Sequence, residues 1–412
     1  MERGVILNRL LDKYENSKHL SSPNTSNRRV MLRIDKKELP EYNYESSESR
    51  DRYNKAAREL ESEGIIKVES LKDRPIMTAL VLNLQETDKA YKEAKRKHPA
   101  QTAEEFLDLV EKMLSSISTP WIIAWRDDVC ETTQKSLRLP SFAREGLDYV
   151  RSFFYMLVVY DRLKDSSISL RSFSISCFQN SKSFELEYMD EFLRAATRYH
   201  PDIEELSQQE EIGPRDKLAL LGIYSQPELY QLSGRCEIIM EKGNVNISPL
   251  INSGFALSST SIYEIKSFDL SLIKYITFIE NLTNYNEYIR NEIDDRELVV
   301  YHGGFISPRK RQFLNLLAQS MQRDNIDVYF WADIDLGGFR MFYKLEKIFP
   351  KLRPMRMLAI DVTIHAHQGL VRSEQYLHTL RGVLERNEHP IFNDSIREIL
   401  KHGVTIEQEV FL

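Results

Sequence analysis

"FWADIDLGGF" (residues 330–339) closes an apolar run with two aspartates, Asp333 and Asp335, and follows them with two glycines. Adjacent negative charges repel, and both are costly to desolvate at the end of a strand that leads into a core. Either the pair is the solvated rim of a strand, or a positive group sits between them. Three other short apolar runs end in the same manner: "YITFIEN" (275–281), "ELVVYHGG" (297–304) and "MRMLAID" (355–361). The helical stretches "SPRKRQFLNLLAQSMQRD" and "LGGFRMFYKLEKIF" lie among them, with Ser307 placed to cap the first and Pro308 at its opening position. Strand and helix in alternation predict a mostly parallel sheet packed against helices.

Ligands of open parallel sheets gather beyond the carboxyl ends of the strands. That edge would hold Glu280, the Gly303–Gly304 pair, Asp333 with Asp335, and Asp361. Oxygen donors without a neighbouring Cys or His select a hard cation, Mg²⁺ or Mn²⁺, which would offset the repulsion between the aspartates. Glu280 would be a further ligand or a proton acceptor. Gly303 and Gly304 would let the backbone approach a phosphate, and the helix that follows favours an anion at its N-terminus. Arg309, Lys310 and Arg311 fall in that helix's first turn, placed to meet a phosphate backbone. This pattern points to phosphoryl chemistry on a polyanion, with a structural or small-ligand role as the alternative.

The rest of the chain sets bounds. Its 412 residues allow several domains, and 42% hydrophobic with 29% charged residues describes an ordinary soluble globular protein. Fifty-six basic against 62 acidic residues give a net charge of −6, so any basic field is local. Basic clusters occur at Arg28–Arg29, Lys92–Lys97, Arg309–Arg311 and Lys351–Arg356. Three scattered cysteines, Cys130, Cys177 and Cys236, argue against a disulfide framework or zinc site and fit a reducing cytoplasm. The N-terminus has no apolar signal core, and the longest apolar run, "FFYMLVVY" (153–160), is too short to span a bilayer.

Four regions are expected. Residues 1–90 read as an amphipathic helix over 5–16, a polar loop "SKHLSSPNTSNRR", a helix stopped by Gly64, and strands "IIKVES" and "IMTALVLNL" joined by the turn "LKDRP", the outline of a winged helix. Residues 91–165 are helical, with stripes such as Phe106, Val110, Met113 and Leu114. Residues 166–270 read as a second small α+β, winged-helix-like (CAP-like) unit, and 271–412 as the parallel-sheet domain. The predicted class is therefore multidomain α+β.

"TFIENLTNY", "VVYHGGF" and "FWADIDLGGFRM" resemble the Toprim domain of the JetD family of Wadjet nuclease subunits. That family is related to the A subunits of type IIB topoisomerases and to the meiotic break-forming transesterase. "SFSISCFQNSKSFE" (172–185), "LLGIYSQPEL" (220–229) and "IEQEVFL" (406–412) are also similar to it, and the N-terminal winged-helix outline fits its amino-terminal region. The resemblance implies a metal-dependent endonuclease of an anti-plasmid defence system, acting on double-stranded DNA beside an SMC-kleisin-type ATPase complex. It implies a homodimer, Glu280 as the catalytic Toprim acid, and Asp333 and Asp335 as its metal-binding pair. The topoisomerase relatives cleave through a tyrosine, yet none of the 20 tyrosines here, Tyr224 and Tyr230 in "YSQPELY" included, stands in a matching motif. Hydrolysis is accordingly the expected chemistry; a tyrosine-using topoisomerase-like subunit and a non-catalytic DNA-binding or SMC-adaptor subunit are the alternatives.

Lesser candidates are Lys182 in "NSKSFE", for DNA or as a helix cap, and Glu407 and Glu409, as extra acids or a solvated tail. His365 and His367 in "TIHAHQG" have a metal-like spacing on an expected strand but no partner motif, and read better as lining the acidic edge. No P-loop, H-E-x-x-H or G-x-S-x-G stands in the sequence.

Overall fold

The computed structural model describes the chain except residues 23–27, 44, 72–75, 165, 210–211 and 322–325, and the side chains of 205, 208 and 209. Part of the expected loop at 17–29, most of the "LKDRP" turn and the end of the helix that begins at Ser307 therefore lie outside the described residues. Two compact units result, Met1–Arg162 and Leu163–Leu412. Among the described residues no helix is long and apolar enough to cross a membrane.

The first unit begins with α1 (Glu2–Glu15), β1 (Met31–Arg33), α2 (Ser47–Ser62), β2 (Ile66–Ser70) and β3 (Met77–Leu82). Ile6, Leu7, Leu10, Leu11 and Tyr14 put one face of α1 in the core. Ser46 caps α2 by accepting from the Ser49 N–H, and Gly64 ends it at φ +76°, with Ile65 N donating to Leu60 O at 3.0 Å. The strands form an antiparallel sheet in the order β1-β3-β2. Residues from Ile6 to Tyr91 enclose a core of their own. After α3 (Thr87–Glu93) come α4 (Pro99–Leu114), α5 (Pro120–Ser136) and α6 (Leu147–Asp161), the expected helical region. Trp125 sits in its aromatic centre, 5.8 Å from both Phe142 and Phe153.

The second unit opens with β4 (Ile168–Ser169), α7 (Leu170–Phe178), α8 (Met189–Tyr199), α9 (Pro201–Gln209), α10 (Pro214–Leu220) and β5 (Ile223–Tyr224). It continues with β6 (Leu229–Gly234), β7 (Glu237–Met240), β8 (Gly243–Asn246), β9 (Phe255–Ser258) and β10 (Ile265–Asp269). Then come β11 (Tyr275–Ile279), α11 (Leu282–Asn291), β12 (Glu297–Tyr301), α12 (Pro308–Ser320), β13 (Asp327–Trp331), α13 (Leu336–Glu346) and β14 (Leu352–Pro354). The last elements are α14 (Ala359–His365), β15 (Leu370–Val371), α15 (Glu374–Glu385), α16 (Asn393–His402) and β16 (Val404–Thr405).

Six strands form the main sheet in the order β14-β13-β11-β12-β6-β9. β14, β13, β11 and β12 run parallel, and β6 and β9 extend the sheet antiparallel beyond β12. β11 is buried over four of its five residues, as a strand covered on both faces must be. The chain leaves β11 toward β12 on one side and leaves β13 toward β14 on the other. The two neighbouring strands β11 and β13 thus have connections that diverge, which opens a crevice at their carboxyl ends.

Two expectations change. The division at 270/271 runs through one sheet, because β6 and β9 pair into it while β10, β7 and β8 form a separate three-stranded sheet. "MRMLAID" is not the fourth strand: that strand is the preceding Leu352–Pro354. Pro354 cannot donate to a ladder, Arg356 takes φ +54°, and the chain turns into α14. Asp361 lies in the first turn of α14, where its Oδ2 accepts the Leu358 N–H at 2.8 Å. It is a helix cap, not a strand-end acid.

Gly234 is where β6 meets β12. Its φ is +153°, and a Cβ there would lie 2.5 Å from Glu297 O and 3.0 Å from Leu298 Cα. Gly234→Ala is expected to cost about 2–4 kcal/mol, read as a lower urea midpoint; an unchanged midpoint would show that the strand pair yields at no cost.

Candidate functional site

The carboxylates are placed by the ladder between β11 and β13. Ile279 pairs with Trp331, and the hydrogen bonding runs one step further, Glu280 N donating to Trp331 O at 3.0 Å. Asp333 N in turn donates to Glu280 Oε2 at 3.3 Å. Two residues 53 apart in sequence thereby share one edge.

Asp333 and Asp335 avoid each other by facing different partners. Asp335 is the N-cap of α13: Oδ1 accepts the Gly338 N–H at 2.9 Å, and Oδ2 lies 3.4 Å from the Arg372 guanidinium. Arg372 also donates to Thr405 Oγ1 at 2.7 Å and lies over the Tyr376 ring. Asp333 Oδ1 accepts the Gln408 N–H at 2.6 Å. Burial still pushes the Asp333 carboxyl up to about 7, helped by the charges of Asp335, Glu409 and Glu407 and resisted by the Gln408 bond.

The segment carrying Glu407 and Glu409 is docked, not frayed. Ile406 pairs with Ile334 in a single antiparallel bridge, and Phe411 packs against Trp331. Glu409 Oε1 accepts from Asn281 Nδ2 at 2.7 Å. Gln408, wholly buried, is the residue that sequence reasoning passed over: "IEQEVFL" stood out, but no periodicity marks its central amide.

The glycine loop after β12 has a different arrangement from that expected. Gly303 has φ +58°, and Gly304 is exposed with nothing near its Cβ position. Ser307 caps α12 as predicted, accepting the Lys310 N–H at 3.1 Å. Of the three basic residues only Arg311 is exposed. Arg309 is buried, its guanidinium 4.1 Å from the Tyr224 ring centroid and donating to the Tyr224 hydroxyl at 3.0 Å. Lys310 turns back on its own loop, donating to the carbonyls of His302, Gly303 and Phe305. Burial pushes its ammonium down to about 8, against the pull of Glu228 and Glu280. Arg309 and Lys310 therefore shape the loop and do not face a phosphate.

Tyr230 donates to Glu228 Oε2 at 2.7 Å and stacks on Phe313. Lys182 is exposed, and its backbone N–H donates to Asn180 Oδ1; none of its bonds leads to the carboxylates. His365 ends α14 against Phe411, and His367 lies in the turn that follows, so neither is on a strand.

Glu280 and Gly304 also line a cleft of about 490 Å³ together with Arg311, Arg340, Lys347 and the Lys344–Asp202 ion pair. Among the described residues no group of three or more His, Cys, Asp or Glu is gathered closely enough to hold a metal ion. The donor chemistry nevertheless fits a hard cation: every candidate ligand is a carboxylate, and a cation would offset the neighbouring charges that add to the effect of burial on Asp333.

An α+β chain with a mostly parallel sheet and carboxylates at its strand-order crevice is the class that these features define. Residues 240–411 match the family model described as "Wadjet protein JetD, C-terminal". Over 423 aligned residues the chain is 28% identical to "Wadjet protein JetD" of Bacillus cereus (strain Q1), covering all of this chain and 98% of that protein. Both similarities are to the JetD family.

A carboxyl raised on folding favours the fold below its unfolded value, near 4, and loses that contribution as pH rises through about 7. In EDTA, Asp333→Asn is expected to gain about 1–3 kcal/mol relative to wild type between pH 5 and pH 8, a figure discounted for partial exposure. Urea unfolding at the two pH values reads the difference; a constant gap would remove the assigned shift.

Proposed function

We propose that this chain is a divalent-metal-dependent DNA endonuclease, the cutting subunit of a Wadjet-type defence system directed at plasmid or other circular DNA. The observation that carries this reading is the meeting of Glu280 and Asp333 at the crevice between β11 and β13, with Asp335 alongside. In this reading the six-stranded sheet and the helices packed on it act as a Toprim-like domain, and the winged-helix-like and helical regions hold double-stranded DNA. A homodimer would set two such sites on a duplex, and an SMC-kleisin-type complex would deliver the substrate.

Asp333, Asp335 and Glu280 would hold Mg²⁺ or Mn²⁺, with Glu407 and Glu409 as nearby acids. When bound, the ion would offset the carboxylate charge and polarise the scissile phosphate. Glu280 would take the proton of the attacking water at a carboxylate oxygen. Arg311, Arg340 and Lys344 would meet the phosphate backbone from the cleft. Hydrolysis is the reading kept because no tyrosine stands in a motif matching the topoisomerase nucleophile; of the two in "YSQPELY", Tyr224 accepts from Arg309 and Tyr230 donates to Glu228.

A second reading, a non-catalytic DNA-binding or SMC-adaptor subunit, draws on the Arg372 guanidinium against Asp335 and on the open spacing of the acids. Supercoiled plasmid with Mg²⁺ or Mn²⁺ separates the two, with and without the SMC partners. Wild type is expected to nick or linearise it, and Glu280→Ala to do so at least about 100-fold more slowly. Equal cutting by both proteins, or none by either with partners present, would sink the nuclease. Religated topoisomers or a denaturant-stable protein–DNA adduct would favour the topoisomerase-like chemistry.

A further inference from the structure

We infer that Gln408 is a positioning residue: its amide closes the gap between the ends of β11 and β13 and so sets the spacing of Glu280 and Asp333. The inference rests on the metal-site reading above for its consequence, but not for its geometry.

Past Glu280 and Trp331 the two strands part, one into α11 and the other into the loop before α13. Parting strands leave backbone groups without ladder partners, and buried groups of that kind are costly. Gln408 supplies the partner for the Asn281 N–H and adds a second donor to Trp331 O, which also accepts from Glu280 N. Its Oε1 accepts the Asn281 N–H at 2.8 Å, and its Nε2 donates to Trp331 O at 3.0 Å. One side-chain amide thus stands in for a peptide group between the strands. Its own backbone is engaged as well: N donates to Asp333 Oδ1 at 2.6 Å, and O accepts from Asn284 Nδ2 at 2.7 Å. Four hydrogen bonds on a residue with 0% exposure join the residue after Glu280, the helix that follows it, and Asp333. The Ile334–Ile406 bridge brings this segment into place.

The chemistry requires glutamine. A hydrocarbon of equal length leaves the Asn281 N–H unpartnered and cannot link it to Trp331 O, a carboxylate has no donor for Trp331 O, and asparagine is one methylene short. Residues that orient metal ligands from behind commonly change metal affinity by about 10- to 100-fold when removed.

The test uses the full chain with two readouts. In Gln408→Met, amide exchange of the segments around Asn281 and Ile334 is expected to quicken about tenfold or more, while the β2–β3 hairpin is unchanged. Calorimetric Mn²⁺ affinity is expected to fall about tenfold or more. Gln408→Asn keeps the polarity and should show both changes, which also covers a failure of the methionine variant to fold. Unchanged exchange at the two strand ends, full restoration by asparagine, or Mn²⁺ binding within about twofold of a binding wild type would overturn the inference. Quickened exchange in a chain whose wild type binds no Mn²⁺ would keep the bridging role and remove the metal site instead.

Discussion

The parallel pairing of β11 with β13 is the constraint on which the site depends. Their register sets Ile279 opposite Trp331, so the next residues on the two strands are Glu280 and the approach to Asp333. A slip of one residue would turn every side chain on one strand to the other face and carry the carboxylate away. The divergence of the outgoing chains then opens the gap that the Gln408 side chain bridges. β12 pairs directly with β11 on its other side, and β6 and β9 extend the sheet beyond it.

Around that edge the fold gathers more negative charge than it neutralises. Asp335 has both the N-terminus of α13 and Arg372 to balance it. Asp333 has one backbone N–H and three acidic neighbours, whose charges add to the burial that chiefly raises its pKa. Lys310, close enough to feel Glu280, spends its hydrogen bonds on the carbonyls of the glycine loop. Positive charge enters the same cleft on α13 and at Arg311.

Much of this was legible in the sequence because it is local. Apolar runs that stop at polar residues gave β11, β12 and β13, Ser307 announced α12, and two aspartates at the end of such a run marked the edge. What was not legible lies far along the chain. Gln408 acts on a residue 75 positions earlier, and Arg309 is claimed by a tyrosine 85 positions earlier. A basic residue in a first helical turn has a position that sequence predicts, but the side of the helix it occupies depends on such partners. "MRMLAID" misled for a local reason: its apolar residues resemble a strand, while Pro354 and the left-handed Arg356 end the strand before it begins.

Gly338 adds a restriction of another kind. A Cβ at this position would stand 2.1 Å from Asp333 O, and the Gly338 N–H is the one that Asp335 receives. Carbonyl, cap and glycine fit together only at this interval, so the six residues from Asp333 to Gly338 behave as a single word whose length is fixed. An inserted or deleted letter would cost both the helix start and the placement of the carboxylate in one step, which makes the spacing of this stretch as informative as its composition.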